Sequence, residues 1–329
     1  MKISIIIPVY NSSLTLNECL TSLFKSTYRN FEVIIVSDNC TDNSVEIAKK
    51  YKIKIIELLE NKGPANARNV GSKSADGDIL LFIDSDVILS PNSLNIITDN
   101  FSNEEVNAIQ GIYSHNPNYK TLATQFYQSY LSYYVWSKDK KYASTLVTGC
   151  FSIRKKIFEK MDGFDVNIKN ASCEDEKFGY SLIANGYKIL IVRNLQVEHR
   201  VSYGTIKFIK RRFNQDLDRV KFYLREKAFM NKIKQKNYSN VIIGIPIIGL
   251  IILNFFTLFI NNSSLFWSTF ILLNFIYIFL HIGFIKFIAK TKGFKRAFGS
   301  LIIFYIDTCL MLFALSYGFV IFFLFKKKY

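Results

Sequence analysis

The first 200 residues alternate between short apolar runs and segments whose apolar residues recur at helical spacing. Ile3–Ile7, Phe31–Val36, Lys54–Leu59 and Ile79–Ile83 read as strands. Between them, Leu14–Phe24, Asp42–Lys50 and Pro64–Ser72 read as helices, the second with an acidic first turn and the third with proline near its start. That rhythm predicts an α/β domain with a parallel sheet and right-handed crossovers. Ligands of such sheets bind beyond the carboxyl ends of the strands. Polar clusters stand at all four of those ends: Tyr10-Asn11, Ser37-Asp38-Asn39, Glu60-Asn61-Lys62 and Asp84-Ser85-Asp86. Further on the pattern is coarser. Tyr119–Trp136 reads as a Tyr-rich helix, Leu146–Ile153 as a strand and Glu174–Ala184 as a helix. Ile189–Val192 and Leu195–Val197 read as strand, and residues 204–236 as one or two basic amphipathic helices.

Beyond residue 240 the pattern changes kind. Val241–Ile260 and Leu265–Ile285 carry no charge and match the roughly 20 residues that a bilayer core requires. Asn261-Asn262-Ser263-Ser264 joins them as a polar turn, so the two read as a hairpin. A third apolar stretch, 299–325, is interrupted by Asp307, and either crosses the bilayer or lies in its interface. The expected organisation is a globular domain over 1–203, basic interfacial helices over 204–240 and a membrane region over 241–329.

Charge sharpens this division. The formal net charge is +16, yet residues 1–200 hold 23 Lys/Arg against 22 Asp/Glu. Residues 201–240 hold 11 basic and 3 acidic side chains, and 286–296 hold five basic and none acidic. Excess positive charge flanking apolar segments points to anionic lipid head groups. Nucleic acid would call for a basic stripe on the folded domain, so it is not an expected partner. The positive-inside bias puts 201–240 and 286–298 at the cytoplasmic side, making the protein an integral membrane protein with a cytoplasmic globular domain. Five scattered cysteines without a C-x-x-C pair fit a reducing compartment and suggest neither a zinc site nor a disulfide framework. The chain opens straight into its first strand, with no signal-peptide pattern.

Asp84-Ser85-Asp86 is the sharpest chemical feature. Two carboxylates at the mouth of a sheet repel each other unless a positive charge sits between them. A divalent metal carrying a diphosphate meets that need, because hard cations take oxygens from carboxylate and phosphate alike. An acid-x-acid loop is weak evidence alone. It gains weight from an ordered set: Ile5-Ile6-Ile7-Pro8-Val9-Tyr10-Asn11, Val36-Ser37-Asp38-Asn39-Cys40-Thr41-Asp42, and Asn61-Lys62-Gly63-Pro64-Ala65-Asn66-Ala67-Arg68-Asn69. Asp84-Ser85-Asp86, Thr148-Gly149, Gly163-Phe164-Asp165, Glu174-Asp175 and His199 follow in order. Over residues 1 to about 200 the chain resembles an inverting family 2 glycosyltransferase. The resemblance implies a GT-A fold, a Rossmann-like nucleotide-diphospho-sugar transferase domain, here followed by a C-terminal α-helical membrane region.

The resemblance also implies roles. Pro8, Val9, Tyr10 and Asn11 would meet the nucleobase of a UDP- or GDP-sugar donor, with Asp38 accepting a base N–H. The family more often has two acids there, whereas this chain sets Ser37 and Asn39 around one. Lys62 and Arg68, beside a helix start, would pair with phosphate, against the plainer reading of surface basic residues. Asp84 and Ser85 would line the donor, Asp84 holding the ribose or a metal-bound water. Asp86 would bind Mg²⁺ or Mn²⁺ directly, with His199 reaching the metal or the diphosphate. Inversion needs one carboxylate to take the acceptor's proton. Asp175 matches the family's base, with Glu174 as second candidate; the plainer reading has these acids complementing a helix dipole. Thr148, Gly149 and Cys150 would line the acceptor pocket.

The expected activity is transfer of a sugar from a nucleotide-diphosphate sugar to a lipid-linked or cell-envelope glycan acceptor at the cytoplasmic face. An alternative is a polyprenyl-phosphate sugar synthase, whose phosphate acceptor needs no strong base. A non-catalytic membrane scaffold would have lost the acids that are present here. The Q-x-x-R-W motif of processive synthases is replaced by Ile209-Lys210-Arg211-Arg212-Phe213, which argues against a polymer-extruding channel.

Overall fold

Strand β1 (Ile3–Val9) is apolar on both of its sides because both faces of the sheet are covered. Ile3, Ile5, Ile7 and Val9 enter one core with helices α1 (Leu16–Phe24), α2 (Ser44–Ala48) and α4 (Ser93–Phe101). Ile6 enters the opposite core with α3 (Pro64–Lys73), α6 (Lys155–Lys160) and α7 (Glu174–Ala184). In this computed structural model, residues 1–114, 121–136, 141–168, 173–201, 204–225 and 263–324 are described. They form two compact units, Met1–Pro117 with Val135–Val201, and Asn118–Tyr134 with Ser202–Tyr329.

In the first unit, β1 is joined in parallel by β2 (Phe31–Ser37) and β4 (Ile79–Ile83), and β2 by β3 (Lys54–Glu57). The expected parallel strands are thus present. The sheet continues through strands the sequence rhythm did not order. These are β5 (Val87–Leu89), β6 (Ala108–Tyr113), β7 (Cys150–Arg154) and β8 (Ile189–His199). The spatial order is β3-β2-β1-β4-β7-β6-β8-β5, with β7 antiparallel to both of its neighbours. The sheet is therefore mixed, the Rossmann-like arrangement of a GT-A domain. A register shift between Gln110 and Ile112 lets β8 run as one strand through the polar Arg193-Asn194 step.

The second unit is helical. Helix α5 (Leu122–Trp136) places Phe126 at its centre, with ring centroids 6.1 Å from Phe208, 5.9 Å from Phe284 and 5.6 Å from Phe304. The aromatic richness of this segment is thus core packing inside the unit. Helix α8 (Thr205–Arg225) realises the first part of the basic amphipathic segment; residues 226–240 and the apolar Val241–Ile260 lie outside the described residues. Leu265–Ile285, expected as one apolar span, falls on two helices, α9 (Ser263–Leu280) and α10 (Ile282–Lys292), which together are long and apolar enough to cross a membrane but are bent by 64°. The break falls at His281, where Nδ1 is 2.8 Å from the Tyr277 carbonyl, and Gly283 next to it lets the Tyr133 hydroxyl approach. The third apolar stretch is one long helix, α11 (Phe294–Leu324). Among the described residues, Phe294–Phe323 is the single helix long and apolar enough to cross a membrane alone.

Candidate active site

Register brings the polar residues to one edge of the sheet. Val9 pairs with Ser37 and Ser37 with Glu57, so the turns after β1, β2 and β3 open side by side. Ile83, the last residue of β4, pairs with Cys150, the first of β7, which sets Thr148-Gly149 beside Asp84. Val87 pairs with His199, which brings the end of β8 to Asp86.

Arg68 organises this edge. It lies on α3 and is 3% exposed. One guanidinium nitrogen is 3.0 Å from an Asp84 oxygen, the other 3.0 Å from Glu174, and the group lies over the Phe164 ring. Burial opposes the charge, but Asp84 and Glu174 hold the guanidinium firmly protonated. Gly71, one turn on, lets α3 sit close against Ile6 of β1, because a Cβ there would collide with that side chain. The charge-assisted bonds of Arg68 are thus spent on two protein carboxylates.

Asp175 stands next to Glu174 at the start of α7. Its Oδ2 accepts the Thr148 N–H at 3.3 Å and its Oδ1 accepts the Glu176 N–H at 2.8 Å. Burial pushes its carboxyl well above the usual carboxylate range; Glu174 and Glu176 add to the rise and Arg68 opposes it. The arrangement holds a carboxylate that binds a proton tightly, beside the Thr148-Gly149 turn.

Asp86 and His199 meet at 3.1 Å, Oδ1 to Nε2. The imidazole is stacked on Tyr113, with ring centroids 5.0 Å apart. Among the described residues no three His, Cys, Asp or Glu side chains make a closed metal cage. The donor chemistry of Asp86 and His199, one carboxylate oxygen facing one imidazole nitrogen, still fits a divalent cation that completes its shell from a ligand. Asp84, the third expected metal residue, directs one oxygen to Arg68.

The nucleotide-side residues are placed as follows. Asp38 is 3% exposed, and its two oxygens accept the backbone N–H groups of Lys62 and Gly63, each at 2.8 Å. It therefore ties the β2 turn to the α3 entry. Asn11 sits in the left-handed region at φ 48°, where Asn is tolerated, and its Oδ1 accepts the Thr41 N–H at 2.8 Å. Pro8 and Val9 end β1, and Tyr10 beyond them is exposed. Ser85 donates to the Ser12 hydroxyl at 2.7 Å. Lys62 is exposed, with Glu60 at 3.9 Å. Thr148 is buried, and the Cys150 side chain packs in the core, where burial pushes its thiol up to about 12.

Tyr113 and Gln110 lie in Ile109-Gln110-Gly111-Ile112-Tyr113, a stretch to which the sequence reading gave no site role. Tyr113 forms the platform under His199, and a Cβ at Gly149 would overlap its hydroxyl, so Gly149 is what allows the ring its place. Gln110 braces the same turn: Nε2 donates to the carbonyls of Gly111 and Val147 at 2.9 Å, and Oε1 accepts the Val147 N–H at 2.9 Å. A glutamine inside the apolar strand Ala-Ile-Gln-Gly-Ile-Tyr was the available signal, since a buried amide must find partners.

The mixed sheet and its strand order are those of the Rossmann-like GT-A fold. Two solved structures share the fold. A mannosyltransferase of Pyrobaculum calidifontis, in complex with GDP-Man and Mn²⁺, superposes with a TM-score of 0.59 at 12% identity, covering 97% of this chain and 87% of that one. Residues 1–349 of S. aureus TarS with UDP-GlcNAc give 0.51 at 18% identity, covering 96% and 91%. Residues 4–162, just under half of the chain, match the Glycosyl transferase family 2 domain. Among curated relatives, glycosyltransferase GlyG of Streptococcus pneumoniae is 27% identical over 227 residues, 68% of this chain and 65% of that protein. A poly(ribitol-phosphate) beta-glucosyltransferase of Bacillus spizizenii is 40% identical over 124 residues, 34% of this chain and 20% of that protein. The chain thus spans less than two thirds of the length of these relatives.

Proposed function

We propose that this protein is a membrane-attached inverting glycosyltransferase. It moves a sugar from a UDP- or GDP-sugar to a lipid-linked or cell-envelope glycan acceptor at the cytoplasmic face. The observation that carries the reading is Arg68, which binds Asp84 on the donor side and Glu174 beside Asp175 in one rigid frame. Asp175 takes the proton of the acceptor hydroxyl as that oxygen attacks the anomeric carbon. Its raised proton affinity makes it a stronger base than an ordinary carboxylate and favours a hydroxyl acceptor over a phosphate. Thr148 steadies the base through its N–H, and Glu174 is held in its pair with Arg68. Tyr10, Asn11 and Asp38 bound the nucleoside end, with Lys62 and Ser85 flanking the phosphates. Asp86 and His199, with Asp84 beside them, would hold Mg²⁺ or Mn²⁺, which when bound supplies charge stabilisation to the departing diphosphate. That assignment draws on the mixed oxygen and nitrogen donors and on the Mn²⁺ named with the mannosyltransferase.

The test is release of nucleoside diphosphate from a panel of sugar donors, in membranes, with and without Mn²⁺. Metal-dependent release that disappears in Asp175→Asn is expected. Nucleotide binding without turnover of any donor overturns the enzyme reading, and calorimetric donor affinity under Mn²⁺ that is unchanged in Asp86→Ala overturns the metal assignment.

A further inference from the structure

Asn69, next to Arg68 on α3, reaches a turn 95 residues away, Asp162-Gly163-Phe164-Asp165, which leads out of α6. Its amide binds both backbone groups of one residue. Nδ2 donates to the Phe164 carbonyl at 2.8 Å, and Oδ1 accepts the Phe164 N–H at 2.9 Å. The turn is shaped for this approach. Asp162 and Gly163 are both left-handed, at φ 57° and 69°, and a Cβ at Gly163 would collide with Asn69 Oδ1.

Phe164 then fills the space beneath Arg68. Its ring is buried, and the guanidinium carbon lies 5.5 Å from the ring centroid, within cation–π reach. Phe82 of β4 meets the ring edge-on at 5.4 Å, and Phe178 of α7 approaches to 4.7 Å between centroids. Phe178 stands one helical turn after Glu174, so the α7 face that packs on Phe164 is the face that carries the carboxylate bound to Arg68. Asp165 closes the frame from the other side. Its Oδ2 is 2.7 Å from Nζ of Lys177, two residues beyond Asp175 on α7. Burial works against the ionised form of Asp165, yet Lys177 and Asn167 hold its carboxyl below the usual range. The turn is thus gripped by α3 through Asn69 and by α7 through Lys177, and it ties the helix of Arg68 to the helix of Asp175.

We propose that Asn69 is a positioning residue for the transfer: by fixing Phe164 under Arg68 it sets the guanidinium against Glu174 and so places Asp175. Lys177 supports the same placement through Asp165. The kinetic side of this inference rests on the transferase reading, and the frame itself rests on contacts within the first unit. A reacting group displaced by about 1 Å can lose roughly 10²-fold in rate, so a loosened frame shows in turnover before it shows in nucleotide binding.

A double-mutant cycle in the full-length protein tests it. Asn69→Ala removes both bonds to the turn, whereas Phe164→Leu removes the ring and leaves the backbone groups that Asn69 binds. Turnover is measured with a sugar donor that the parent accepts, and UDP and GDP are the calorimetric probes. Each single change is expected to lower kcat by about 10–100-fold, with nucleotide affinity within about threefold of the parent. The double change should be no more than about threefold slower than the slower single change, because both act through one ring. Losses that multiply overturn the proposal, and so does Asn69→Ala with parental kcat and only a lower Tm. Should Asn69→Ala not fold, Lys177→Met releases the turn from α7 and should lower kcat by about fivefold or more; parental kcat there overturns the proposal equally. Hydrogen exchange gives a readout that needs no donor. In Asn69→Ala and in Lys177→Met the amides of Glu176 and Phe178 should exchange about tenfold faster, while those of β1 keep the parental rate. Unchanged exchange at α7 overturns the frame, whereas a parent that turns over no donor overturns the transferase reading and the kinetic claim with it.

Discussion

Asp175 is a carboxylate whose proton affinity is raised by burial and by its acidic neighbours. As a base it must be ionised, so kcat/KM should fall as pH drops through its folded pKa, which lies above the ordinary value of about 4. The same shift has the opposite sign for stability. The folded state binds the proton more tightly than the unfolded state, so stability falls as pH rises through that window. Asp175→Asn is therefore expected to cost about 10²–10⁴-fold in turnover while its Tm at pH 7 is no lower than that of the parent. A lower Tm would mark Asp175 as structural. Arg68→Met leaves Glu174 buried without its cation and should cost about 3–5 kcal/mol in denaturant unfolding. In active material the acid limb should move to higher pH, because Arg68 works against the rise at Asp175. The candidates Asp84, Asp86, Glu174 and Asp175 could be picked out from motif order. The partner of Arg68 could not: Glu174 lies 106 residues away, and no local pattern reports a pairing across that distance.

Among the elements, β1, β2 and β4 were legible because a strand covered on both faces is a continuous apolar run with polar residues at its end. β5 was not, since three residues, Val87–Leu89, are too short for any period to show. The antiparallel insertion of β7 between β4 and β6 was hidden for a different reason: it is a choice of partner, and its sequence fits several neighbours equally. The break between α9 and α10 had no proline to announce it. Two predictions belong to the turn between β6 and β7. Gln110→Leu removes every partner that the glutamine gives to 147–150 and should lower stability by about 1–3 kcal/mol, read by chemical denaturation. Gly149→Ala forces Tyr113 aside, and its overpacking should cost about 1–3 kcal/mol, with the loss of donor turnover exceeding that of Gln110→Leu. A fully active Gly149→Ala would show that Tyr113 need not sit under His199.

For the whole molecule, hydropathy and charge divide the chain into a neutral globular part and an apolar, basic remainder, whereas the second compact unit also takes in Asn118–Tyr134. What composition could not supply is which apolar helix lies against a charged one, since that is settled by Arg212 finding Asp307 across 95 residues. Arg212→Met alone should destabilise the second unit by about 3–5 kcal/mol, because Asp307 is left buried and uncompensated. The double change Arg212→Met with Asp307→Leu should recover most of that loss in a thermal shift in detergent; additive losses would show that the pair contributes no coupling. In the first unit, the shared guanidinium of Arg68 has a kinetic corollary under the proposed transfer. A donor that drew Asp84 away would leave the guanidinium to Glu174 and Asp175 and lower the proton affinity of Asp175. Substrates should thus enter in compulsory sequence, the sugar nucleotide leading, so that spent nucleotide competes with the donor alone.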